Sequence, residues 1–109
     1  MHAVGIREDV LAAHPWLAAS LLKAFTSAKR YADDDLREVV ALKIGLPWAA
    51  AELESTERVM GRDFWSYGVE ANRATLEAMA RYSFEQHLSV RRVAVEEMFA
   101  PGSFEQTRV

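Results

Sequence analysis

The side chains in this sequence with the chemistry to build a site are three histidines, one arginine at the head of a helical repeat, and a knot of aromatics held between glycines. His2, His14 and His87 show no metal-ligand spacing, and nothing reads as HExxH or as a Gly-rich phosphate loop. His14 precedes Pro15 and is read as a local backbone partner. His87 is read as a helix C-terminal residue that the dipole favours. His2 differs, because it shares one face of a short apolar run with Val4 and Ile6. A polar ring on such a face must find a partner or look into a cavity. Arg73 follows Asn72 at a helix start, where a guanidinium and free backbone N–H groups converge and could anchor a carboxylate; the simpler account is an exposed cation after a cap. Phe64-Trp65-Ser66-Tyr67-Gly68 follows no helical period, so its rigid aromatics either line a pocket for a planar ligand or plug an open end of the core.

The elements that must position these groups are mostly helical. His2 to Ile6 reads as a short strand. Asp9 is expected to cap a short helix over Val10 to Ala13, and Pro15 to open a longer one to about Ala32, since proline is tolerated in a first turn. Leu17, Leu21, Phe25 and Ala28 recur at the spacing of one helical face. Asp33-Asp34-Asp35 reads as a helix N-terminus, where backbone N–H groups favour carboxylates, and the helix it starts runs to about Ile44 with Gly45 as its C-cap. Pro47 opens the next, which Gly61 stops near Met60. Asn72 caps a helix through about His87, with Leu76, Met79, Ala80 and Ser83 inward. An extended stretch, Val90 to Ala94, then leads to a last turn over Val95 to Phe99, closed by Ala100-Pro101-Gly102. Ser103 to Val109 reads as a polar, frayed tail. Trp16, Trp48, Phe25 and Phe84 are expected in the core. The sum is a mainly α chain of four to five helices with one solitary strand, whose unpaired backbone groups call for a sheet from elsewhere.

Composition narrows the function classes. With 109 residues the chain has the size of one globular domain, near the limit where a core alone gives modest stability. It has no cysteine, which excludes disulfides, thiolate metal sites and a cysteine nucleophile. The net charge of −3 argues against broad phosphate-backbone binding, so no nucleic-acid partner is expected. Charges interrupt every stretch that approaches a membrane span, and the opening residues lack an apolar targeting core; the expectation is a cytoplasmic protein without a membrane partner.

Seven segments read in order resemble the C-terminal part of the 4,5-dihydroxyphthalate decarboxylase family, whose fold is that of type II periplasmic solute-binding proteins. They are Met1-His2-Ala3-Val4, Arg7 to Trp16 (REDVLAAHPW), Ala24 to Arg30 (AFTSAKR), Leu46 to Glu54 (LPWAAAELE), Asp63 to Gly68 (DFWSYG), Asn72 to Glu77 (NRATLE) and Glu97 to Pro101 (EMFAP). No single motif is diagnostic; their order and spacing carry the resemblance from Met1 to about Pro101. It implies that residues 1–101 are a C-terminal lobe segment of an α/β fold, that 102–109 are a tail, and that Met1 to Ile6 is a hinge-region strand. The implied reaction is non-oxidative loss of CO2 from a dihydroxylated aromatic dicarboxylate, with no cofactor. His2 would be proton donor or hydroxyl contact, Arg73 a carboxylate clamp, and Trp65 and Tyr67 ring contacts. A missing N-terminal lobe or a second copy of the chain would complete it. The alternatives are a solute-binding module of ABC-transporter type for a small anionic or aromatic ligand, and a non-catalytic remnant or subunit. Three positions depart from the family pattern. Gly5 replaces a β-branched residue, Ser66 stands where proline is common, and His87 occupies a glycine position, which would hold a non-glycine residue near positive φ.

Overall fold

A computed structural model describes residues 2–104, which fold as helices joined by turns, with no strand among them. The helices are α1 (Glu8–Ala13), α2 (Leu17–Arg37), α3 (Ala49–Met60), α4 (Arg73–Glu85) and α5 (Val95–Met98), with single 3₁₀ turns at Glu70–Asn72 and Pro101–Ser103. Mainly α is therefore correct. The expected strand is not formed: residues 2–6 run as irregular, mostly exposed backbone, which is what a five-residue strand does without a sheet to pair with. Two compact units divide the described chain, one from residues 2–23 with 67–104, the other from residues 24–66. Helix α2 contributes to both.

The first unit holds the buried residues. Val69, Leu76 and Val95 pack together, with Met98, Phe99 and Phe104 against them. Leu76 and Ala80 are the inward pair of α4 at i, i+4, as the spacing predicts, whereas Met79 is largely exposed. Ala18, in the first turn of α2, is also buried, and the backbone at Gly102 comes so near that an added Cβ there would meet Ala19 at 3.6 Å. Ser103 and Phe104, read as the start of a tail, are held: Ser103 Oγ donates to the Ala100 carbonyl at 2.7 Å, and Phe104 joins the cluster. The remainder of the expected tail lies outside the described residues.

Helix α4 ends as its departure from the family pattern implied. Leu88 N donates to the Ser83 carbonyl at 2.8 Å and His87 N to that of Phe84 at 3.0 Å, closing a Schellman turn with His87 at φ 59°. At the other end Asn72 occupies the N-cap position but does not cap with its side chain; its Nδ2 donates back to the Gly68 carbonyl at 2.8 Å. Asp9, likewise, lies inside α1 and pairs with Arg7, so Arg7 rather than Asp9 precedes the helix.

In the second unit the boundaries move. Helix α2 runs straight through Asp33-Asp34-Asp35, and the helix expected over 35–44 is absent. Two local interactions account for this. Arg37 Nη1 donates to the Asp33 carbonyl at 3.1 Å and thereby stabilises the last turn of α2. Glu38 Oε1 accepts from Val40 N at 2.7 Å and Ala41 N at 3.3 Å, closing a turn where β-branched Val39 and Val40 are poor helix formers. Helix α3 begins at Ala49, after a Pro47-Trp48 turn that holds Trp48 at φ 68°, and ends as expected on Gly61 at φ 83°. The aromatics assigned to a core are not in one: Trp16 and Trp48 are 62% and 79% exposed, and Phe25 and Phe84 exceed 40%. Their helical faces have no apolar layer to close against, and no residue of the second unit is buried.

Leu76→Ala should cost about 2–4 kcal/mol in chemical denaturation, while Val40→Ser, at a position 92% exposed, should stay within about 0.5 kcal/mol. His87→Gly should stabilise the chain by about 0.5–1 kcal/mol, because the left-handed conformation costs glycine nothing.

Candidate functional site

Arg73 is held by hydrogen bonds on every side of its guanidinium. It is the first residue of α4, and all three of its guanidinium nitrogens are engaged. Nε and Nη2 donate to Glu70 at 3.2 and 2.6 Å as a bidentate pair, and Nη1 donates to Glu96 Oε1 at 2.7 Å, with Glu77 3.8 Å away. The guanidinium is held more firmly protonated than a free arginine, chiefly by the hydrogen bond to Glu70 and then by that to Glu96. The same bonds lower the carboxyls of Glu70 and Glu96 below the usual glutamate range. So the geometry that could clamp a ligand carboxylate is present, with the chain's own carboxylates in the seats.

A second ion pair lies nearby in sequence. Arg91 binds Glu97 bidentately, at 2.9 and 2.5 Å. Glu97 Oε1 also accepts from Ala94 N at 3.0 Å, the half of a capping box that an alanine N-cap leaves possible. Held first by Arg91 and then by that amide, the Glu97 carboxyl falls to about 2.

The other predicted residues are more open. His2 is exposed in the irregular opening segment. Tyr67 is 38% exposed and belongs, like His2 and Arg73, to the first unit; Trp65 is 61% exposed and belongs to the second. The donors of Arg73 go to Glu70 and Glu96 and not to His2 or Tyr67. His14 is exposed, edge-on to Trp16 with ring centroids 5.8 Å apart, and its carbonyl accepts from Leu17 N. His87 is exposed in the turn after α4. Two shallow depressions stand out in the first unit. One, of about 330 Å³, is apolar and lined by α1, Pro15 and Ala100 to Gly102; the other, of about 400 Å³, lies between Glu77, Ala80 and Arg92 to Glu96. Neither includes His2, Tyr67 or Arg73. Among the described residues no group of His, Asp or Glu side chains is arranged to hold a metal ion, and no helix is long and apolar enough to cross a membrane.

Sequence reading missed Glu70 and Glu96 as partners of Arg73. Glu70 could have been found, since it stands three residues before Arg73, within reach on a helical surface. Glu96 could not, being 23 residues away and brought in by the turn before α5.

No protein-family model matches the chain. A curated protein does: 4,5-dihydroxyphthalate decarboxylase from Comamonas testosteroni is 36% identical over 109 residues. The chain is similar, along its whole length, to part of that decarboxylase. The match covers 100% of this chain and 33% of the relative, so the chain spans about a third of its length. The resemblance read from the seven segments thus extends over the full sequence.

The lowered carboxyls set a pH dependence. Glu38, Glu70, Glu96 and Glu97 start from about 4.5 when unfolded and are depressed when folded. Their stabilisation is therefore complete above that value and is lost as pH falls toward 2. Urea midpoints should drop between pH 5 and pH 2, and Glu97→Gln should flatten the lowest part of that decline.

Proposed function

We propose that this chain is the C-terminal part of a 4,5-dihydroxyphthalate decarboxylase-like protein, built into an α/β fold of the type II periplasmic-binding-protein kind and inactive by itself. One observation carries the reading: identity of 36% over the whole chain to a decarboxylase three times as long. The exposed Trp16, Val39, Val40, Leu42, Leu46 and Trp48 support it, since monomeric proteins rarely leave so many large apolar side chains open without something to cover them. In the assembled protein residues 2–6 pair as a strand with neighbours from the rest of the fold, and the helices clothe one lobe. The missing lobe is then the partner. A protein consuming an aromatic catabolite fits the cytoplasm.

The reaction needs a proton donor, a cation and a partly dry pocket. Protonation of the ring carbon that bears the departing carboxylate interrupts aromaticity. The C–C bond to that carboxylate then breaks, its electron pair returns to the ring, and CO2 leaves. His2 suits the proton donor or a hydroxyl contact, because an imidazole can play either role. Arg73 suits the retained carboxylate, which would replace Glu70 as its bidentate partner. Trp65 and Tyr67 supply planar faces. No cofactor enters this scheme.

The chain alone should release no CO2 from 4,5-dihydroxyphthalate, and should do so once joined to the remaining two-thirds of such a protein. CO2 release from the isolated chain would contradict the fragment reading; none from the joined protein would contradict the decarboxylase reading. In the joined protein His2→Ala should lower kcat by about 10²–10⁴-fold, and unchanged turnover would remove His2 from the mechanism.

A further inference from the structure

The second unit has no buried residue, yet the turn that carries Trp65 is tied to α2 at two positions two turns apart. Lys29, whose side chain is only 16% exposed, pairs with the Asp63 carboxylate. Two turns further along the same helix, Arg37 Nη2 donates to the Arg62 carbonyl at 3.3 Å. Arg37 is itself fixed by a fork onto Glu57 Oε1, at 3.0 and 2.7 Å, and both side chains of that pair are less than a third exposed. Gly61, at φ 83°, turns the chain out of α3 so that Arg62 and Asp63 arrive at these cations. The turn is thus fastened by charge where it has no core to rest on.

We propose that Lys29 and Arg37 are positioning residues that latch residues 62–65 onto α2 and hold Trp65 as a preformed platform for a planar aromatic anion. The role of the platform rests on the reading of Trp65 as a ring contact; the latch does not. Rigid presentation of an aromatic lowers the ordering cost of binding, so a latch acts on affinity without touching the ligand. The two ties differ in exposure. Asp63 is open to water, so the Lys29 tie is the salt-sensitive one, whereas the half-buried Arg37–Glu57 fork is screened less.

The test uses the full chain with Trp16→Phe and Trp48→Phe, which leaves Trp65 as the sole indole. Lys29→Met should about double the amplitude of fast nanosecond depolarisation of Trp65. Lys29→Arg should not, the double exchange Lys29→Asp with Asp63→Lys should restore the original decay, and 1 M NaCl should mimic Lys29→Met. Arg37→Met should loosen the turn further; because it can also unfold the unit, the Lys29 series decides. An unchanged decay in Lys29→Met, with circular dichroism showing the helices intact, overturns the latch.

Binding of 4,5-dihydroxyphthalate, followed by calorimetry in the chain joined to the remaining two-thirds of a decarboxylase-like protein, separates the two claims. Lys29→Met should weaken binding about tenfold, and Trp65→Ala, which removes the aromatic face, should weaken it at least as much. If Trp65→Ala weakens binding and Lys29→Met does not, the platform is overturned. If neither does, Trp65 is not a ligand contact, and the loosened turn still stands as proof of the latch.

Discussion

The packing of Val69, Leu76 and Val95 is the contact on which the first unit depends. It joins the turn before α4, the inner face of α4 and the start of α5, three pieces with no hydrogen-bond ladder between them. Each of these residues is less than 5% exposed, and nothing larger than a leucine is buried anywhere among the described residues. At about 25 cal/mol per Å² of apolar surface, so few medium-sized side chains offset little of the entropy of ordering the chain. Ion pairs consequently recur at the places where elements meet: Arg73 between Glu70 and Glu96, Arg91 on Glu97, Arg37 on Glu57, Lys29 on Asp63. Such pairs specify geometry more than they add stability, because water screens them.

The chain corresponds in length to a third of a larger relative, and its helices carry apolar faces that nothing among the described residues covers. Trp16 and Trp48 have the size and spacing of core residues and no layer to bury them. Residues 2–6 set Val4 and Ile6 at the spacing of one strand face, yet among the described residues no neighbouring strand is present for them to pair with, and their backbone is irregular. The donors of Arg73 are taken by glutamates and reach neither His2 nor Tyr67.

What the sequence determined by itself was local. The stop of α3 at Gly61 follows from backbone sterics within a few residues and the inward pair Leu76 and Ala80 from helical periodicity, whereas the left-handed turn at His87 was legible only through the resemblance, which puts a glycine at that position. The helix expected over 35–44 failed because Arg37 and Glu38 make short-range polar bonds that extend α2 and then close a turn, which a pattern of apolar residues does not register. Only tertiary structure decided which cations meet which carboxylates: Arg73 with Glu96 and Lys29 with Asp63 are 23 and 34 residues apart. It decided, too, which apolar faces stay open, because burial belongs to a pair of surfaces and a sequence displays only one of them.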